Sequence, residues 1–384
     1  MLGRRQQPIQ CRAGVGVCRG AAAFCNRACE HGTAGVAEPE AVGYGSAEMA
    51  TRAVQIPPLP ARRRHAVRAG DDYGVSDTPD WRDVDWAAHL HTIDIGGVPV
   101  NYADIGEQGD ARPIVFVHGL SGQWQNWLEN MPRFARERRV VALDLPGFGR
   151  TPMPTETITI DLYGRVVEEL CRRLDLAPAV FVGNSMGGYV SAEVAIEFPE
   201  TVERMLLLSA AGISQRNLAR APLLQAARML GVVTRSSTRQ RRAYAARPAL
   251  RHWMLNMVVR HPTRIRPDIA FEGLLKGMNK PGFYDALVTC LDYDFVDRLP
   301  EIGCPTLVVW GREDAIIPVE DADTFVELVP GSRKLIVEDT GHVPMVERPV
   351  TFNDHLEQFL HHEIEPGELE EVRSEPAKAG DAVA

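Results

Sequence analysis

Ser185 sits between Gly183 and Gly187, directly after the β-branched and aromatic run Val180 to Val182. A chain that turns from a buried strand into a helix within a few residues forces its central residue into a strained conformation. Only neighbours without bulky side chains let it pass itself so closely. Such a turn leaves the serine hydroxyl at the carboxyl edge of a sheet, with a helix amino terminus behind it. A hydroxyl is a weak nucleophile until a base takes its proton, so the chemistry also needs a histidine, and an acid to orient it, after later strands. Asp314 follows TLVVWG in WGREDAIIP, and His342 follows RKLIVED in DTGHVPMVERP. Their chain order, serine, aspartate, histidine, suits this strand–turn–helix arrangement. Glu313, beside Asp314, is the alternative acid. The stretch after RMLLLSA, another place for one, reads AGISQ and has none.

Attack on a carbonyl develops negative charge on its oxygen, and a backbone N–H aimed at it stabilises the transition state by about 2.7 to 4 kcal/mol. Met186, first in the helix after the serine, supplies one such donor. The second is expected from Leu120 in HGLSGQW, after the strand PIVFVHG. His118 in that motif reads as a histidine that orders the loop rather than as a base.

These residues need a scaffold, and the chain supplies one from about residue 87. HTIDIGGVPVNYADIG reads as a hairpin turning at Gly96-Gly97. Apolar strands then alternate with amphipathic helices through RMLLLSA and resume with PTLVVWG, VEDADTFVELV, RKLIVED and VTFNDHLEQFLHHEI. Strands apolar throughout and separated by helices describe a parallel sheet covered on both faces. Between residues 211 and 299 the alternation breaks, and ARAPLLQAARMLGVV and ALRHWMLNMVVR show helical spacing. The expected organisation is a leader and linker over 1–86, a core over 87–210 and 300–364, a helical insertion over 211–299, and an acidic, disordered tail over 365–384.

Composition sets the outer limits. The 384 residues are 45% hydrophobic and 24% charged, with a formal net charge of −9, a balance that does not suggest a nucleic-acid partner. No apolar run approaches the roughly 18 residues of a membrane span. Within the insertion, however, fifteen Arg and Lys face six Asp and Glu. RSSTRQRRAYAARPALR is its densest stretch, read either as a solvated helix face or as attraction to an anionic lipid surface or substrate. Residues 1–29 hold five arginines and no acid, reminiscent of a transit peptide, or of translated sequence ahead of a start at Met49. Cys25, Cys29 and His31 match no standard zinc spacing, so no metal is expected. Cys171, Cys290 and Cys304 stand singly, which fits a reducing, cytoplasmic compartment.

The motifs HGLSG (118–122), DLPGFGRT (144–151), GNSMGG (183–188), WGREDAIIP (310–318) and GHVPMVERP (341–349) together resemble the α/β-hydrolases, over residues 92 to 364. The resemblance implies an eight-stranded, mostly parallel sheet flanked by helices, with the insertion as a helical cap over the serine. It also implies Asp314 as the acid, a structural role for Asp144, and no cofactor. Ser185 stands where haloalkane dehalogenases and epoxide hydrolases carry an aspartate, which makes both activities unexpected. The leading expectation is an esterase or lipase acting on a small-molecule ester or acyl substrate, with Trp124 and Trp310 at its pocket. GNSMGG and Trp310 are also similar to carbon–carbon hydrolases of vinylogous diketo acids. That family's HGSGPG-like and GHWAQ-like segments read HGLSGQ and GHVPMV here, and Leu274 falls where its cap arginine would stand. A non-catalytic ligand receptor on the same fold is the third reading. Oligomeric state is not legible.

Overall fold

A computed structural model describes residues 66–67 (backbone only), 72–214 and 237–361 of the chain. The strands are β1 (Ala66–Val67), β2 (Leu90–Ile95), β3 (Val98–Ile105), β4 (Ile114–Val117), β5 (Val140–Leu143), β6 (Ala179–Asn184), β7 (Val202–Leu208), β8 (Thr306–Gly311) and β9 (Arg333–Val337). They form one sheet in the order β1-β9-β8-β7-β6-β4-β5-β3-β2. From β5 across to β9 every pairing is parallel, while β3 runs antiparallel to β5, and β2 to β3. The eight expected strands are present, and the two-residue β1 extends the sheet beside β9. Gly96 and Gly97 make the β2–β3 turn, both at positive φ.

The continuous apolar strands follow from burial on two sides. Along β4, Val115 and Val117 join one core cluster and Ile114 and Phe116 the other. The first cluster is completed by α2 (Ile160–Arg173), α3 (Met186–Glu197) and α7 (Asp321–Leu328). Phe352, Leu356 and Phe359 of the last helix, α8 (Pro349–His361), close the second together with Trp127 and Met131, the latter opening the short α1 (Met131–Phe134). Helix α3 is apolar nearly all round because it is buried nearly all round.

Between β7 and β8 lie α4 (Thr238–Ala246), α5 (Pro248–Leu255), a π-helical turn Ala270–Leu275, and α6 (Phe283–Asp292). Helix α5 fulfils the ALRHWMLNMVVR expectation, whereas all of ARAPLLQAARMLGVV, with the rest of 215–236, lies outside the described residues. So do the leader through residue 65 and the acidic tail. No described helix is long and apolar enough to cross a membrane.

The linker drawn to residue 86 is corrected. Residues 72–86 pack on the fold: the Tyr73 hydroxyl donates to Glu347 Oε2 at 2.5 Å and Trp81 Nε1 to Glu129 Oε1 at 3.0 Å, both buried. Asp80 and Asp85 cap short turns at Trp81–Asp83 and Trp86–His89. The segment is held by aromatic and acidic anchors rather than by a repeating apolar face, so it carries no periodicity to read.

Candidate active site

The sheet delivers Ser185 as the spacing predicted. β6 ends at Asn184, α3 begins at Met186, and Ser185 between them has φ +56 and ψ −118, a strained conformation for a side-chain-bearing residue. Its N–H donates to Leu208 O at 2.9 Å, tying the turn to β7. The flanking glycines are required by close approach. A Cβ on Gly183 would stand 2.3 Å from Gly187 O, and one on Gly187 2.1 Å from Val117 O.

His342 and Asp314 meet after the last two strands. Asp314 Oδ2 lies 2.7 Å from His342 Nδ1, with both side chains almost wholly buried. Asp314 Oδ1 accepts the N–H groups of Ile316 and Ile317 at 2.8 and 3.0 Å, which fixes the carboxylate. Glu313, the alternative acid, turns away and accepts Thr340 N–H at 2.9 Å. The histidine is anchored by its backbone: its N–H donates to Val258 O at 2.9 Å and its carbonyl accepts Asn184 Nδ2 at 3.3 Å. The hydroxyl of Ser185 and the ring of His342 are not hydrogen-bonded to each other here. Contacts of this kind tighten when substrate closes a site.

Glu347 was not singled out from the sequence. Its buried Oε1 accepts Gly341 N–H at 2.9 Å and Val343 N–H at 3.3 Å, on either side of His342, while Oε2 accepts Arg260 N–H at 2.8 Å. Burial pushes its carboxyl above the usual range against these donors. Its only signal was its place in GHVPMVERP.

Neither the Leu120 nor the Met186 N–H has an acceptor among the described residues. The Leu120 loop is shaped by fully buried His118, whose Nδ1 lies 2.8 Å from Gly119 O and whose Nε2 accepts Leu145 N–H at 3.0 Å. These partners assign the neutral, Nδ1-protonated tautomer, and burial pushes the imidazole down to about 4. Asp144 Oδ1 accepts Trp124 N–H and its Oδ2 accepts Arg150 N–H, both at 2.8 Å, as a turn-holding residue would.

A family model for the alpha/beta hydrolase fold matches residues 112–349. The chain belongs to the α/β-hydrolase fold family. Among relatives of this hydrolase, the dihydrolipoyllysine-residue acetyltransferase component of the acetoin cleaving system of Pseudomonas putida is 31% identical over 274 residues, covering 70% of this chain and 68% of that one. The 2-hydroxy-6-oxo-6-(2'-aminophenyl)hexa-2,4-dienoic acid hydrolase of Metapseudomonas resinovorans is 27% identical over 281 residues, 70% and 89% of the two chains. The solved structure of Est816, an N-acyl homoserine lactone degrading enzyme, is 25% identical with a TM-score of 0.57, covering 70% of this chain and 100% of that one.

In this hydrolase the inserted segment is latched to the Leu120 loop. Gln123 Nε2 donates to Glu272 O at 3.1 Å, Asn126 Nδ2 donates to Gly273 O, and a Cβ on Gly277 would lie 2.5 Å from Ser121 O. Trp124 is buried, with its ring 5.0 Å from that of Trp86. Trp310, also expected at the pocket, lies fully buried in the core. Its indole N–H donates to Ile317 O at 3.2 Å and its ring is 6.1 Å from Phe325, so it props the Asp314 loop from within. Leu274 is half-buried on the π-helical turn. The basic stretch is not one solvated face: Arg251 is buried, donating to Pro262 O at 2.7 Å and Thr263 O at 3.0 Å. Among the described residues, Glu137, Glu357 and His361 bring ligand atoms within 4.8 Å of one another, and none of the three belongs to the site.

Proposed function

We propose that this hydrolase cleaves a carboxylic ester through Ser185, His342 and Asp314. His342 takes the Ser185 proton, the oxygen attacks the carbonyl, and the oxyanion is held by the N–H groups of Leu120 and Met186. His342 then protonates the leaving alcohol, and a water molecule activated by the same imidazole releases the acyl group. The observation carrying this reading is the 2.7 Å contact of Asp314 Oδ2 with His342 Nδ1, in a turn that can present Ser185 only at this edge. Est816, named for lactone degradation, is a neighbour matched over its whole length. Cys171, Cys290 and Cys304 are unpaired, in keeping with a reducing, cytoplasmic setting.

The test is turnover across an ester and lactone library beside Ser185→Ala, for which kcat should fall by about six orders of magnitude. Equal inertness of both proteins on every substrate would sink the ester assignment. A second reading, cleavage of a carbon–carbon bond in a diketo acid, draws on the name of the Metapseudomonas relative. Half-buried Leu274 offers no charge to a substrate acid, which favours the ester. Bleaching of a yellow ring-fission product would reverse that preference. Fluorophosphonate labelling without steady-state turnover would instead indicate a receptor.

A further inference from the structure

We propose that the outer face of residues 248–260 docks the protein on an anionic lipid bilayer and sets the site beside substrate held there; the second half rests on the esterase reading, the docking does not. Trp253 and Met257 are 61% and 62% exposed, more than any other large apolar side chain among the described residues. Helix α5 continues past Leu255 as a turn, with Asn256 N–H on His252 O and Val258 N–H on Leu255 O, both at 2.9 Å. Residues four apart on such a path share one face. The inward face already holds Arg251, Leu255 and Val259, all buried. Beside exposed His252 and Asn256, the outer side therefore carries two large apolar groups where a helix of a soluble domain is ordinarily polar.

Charge identifies the occupant. Arg247, Arg260, Arg264 and Arg266, in or close beside this segment in the chain, are exposed, and Asp268 is the single acid between residues 247 and 268. Arg266 pairs with Asp268 at 3.4 Å, and the Arg264 guanidinium lies over the Tyr73 ring at 4.9 Å. From the loop after β9, Asp339 faces Arg260 at 3.8 Å and His261 at 2.7 Å. An indole and a thioether at headgroup depth, with guanidinium groups on lipid phosphates, make an interfacial anchor. The chain as a whole carries −9, so attraction to such a surface has to be local.

The same segment reaches the candidate site. Val258 O accepts the His342 N–H, and the Arg260 N–H donates to Glu347, whose other oxygen holds the residues on either side of that histidine. A membrane on the outer face would thus lie one backbone layer from the histidine loop, suiting an amphiphilic ester.

The full chain is sedimented with vesicles of phosphatidylcholine alone and with added phosphatidylglycerol. We expect binding to the anionic vesicles that weakens with salt, and a loss of partitioning greater than about tenfold in Trp253→Ser/Met257→Ser. Arg247→Gln/Arg260→Gln should abolish the preference for phosphatidylglycerol. No wild-type binding to anionic vesicles, or undiminished binding by Trp253→Ser/Met257→Ser with an unchanged melting temperature, overturns the proposal. So does a wild-type dimer in light scattering that this double variant dissociates, since a second copy would then cover the face. Turnover of a short soluble ester should survive the double variant while turnover of a vesicle-borne ester falls. Vesicle binding with no ester turned over would leave the docking standing and fail the esterase reading.

Discussion

Around Ser185 the chain packs backbone against backbone: the Cβ positions of Gly183 and Gly187 point at carbonyl oxygens 2.3 and 2.1 Å away. In the inserted segment the equivalent test gives a mixed answer: Gly277 also abuts backbone, at Ser121 O 2.5 Å away, but Gly273 does not. A Cβ on Gly273 would meet the Ile269 Cδ1 at 3.1 Å, the far end of a flexible side chain. The insertion is tied to the core by side chains reaching carbonyls, Gln123 to Glu272 and Asn126 to Gly273. The geometry of the proposed site is thus set where no atom can be added. The inserted segment, apart from Gly277, is held by contacts that substitution can retune.

The largest effect should come from the hydrogen bond that orients the base. Asp314→Asn keeps an oxygen for the Ile316 and Ile317 N–H groups but turns an N–H toward His342 Nδ1, favouring the wrong tautomer. We expect kcat to fall about 10⁴-fold with little change in melting temperature. A loss below tenfold in steady-state assays would move the acid elsewhere, Glu313 being the neighbour to test. Next is Gly187→Ala. Its methyl group would have to displace the backbone of β4, and about 3 kcal/mol or more of stability should go with it, read by denaturant unfolding. A fully stable, active Gly187→Ala protein would mean that the turn is not rigid.

The pattern of success in reading the sequence follows the same divide. Strands buried on both faces, the glycines around Ser185 and the placing of Asp314 and His342 after β8 and β9 were legible because each follows from local chemistry at fixed spacing. The 72–86 segment, Glu347 and Arg251 were not. Tyr73 and Glu347 are 274 positions apart, and Arg251 satisfies its guanidinium on carbonyls of its own insertion, so only the folded chain shows that a charge-rich stretch turns inward. Trp310 misled for a related reason: a large aromatic beside the Asp314 loop reads as pocket lining until its indole N–H is found on Ile317 O.

Acid should expose the rigid edge. His118 ordinarily titrates near 6.5 and is held down to about 4 when folded. Between those values the unfolded chain takes up a proton that the folded one refuses, so this stability is full above pH 6.5 and is lost as pH falls toward 4. At pH 5 the loss is about 2 kcal/mol. Melting temperatures across pH 7 to 5 should fall less steeply in His118→Gln, and parallel slopes would show that this histidine is not the responsible group.

The smallest effect is the most informative about the insertion. Gly273 lies inside the π-helical turn, has no positive φ, and faces Ile269 with Gln125 O at 3.4 Å. Alanine gains helix propensity there by up to about 1 kcal/mol, offset by whatever the isoleucine must yield. Gly273→Ala should therefore unfold within about 1 kcal/mol of wild type and keep its turnover of short esters. Should it lose several-fold in kcat at unchanged KM, the Asn126 bond to residue 273 would be transmitting strain into the Leu120 loop. The insertion would then belong to the rigid part of the catalytic edge and not to the retunable part above it.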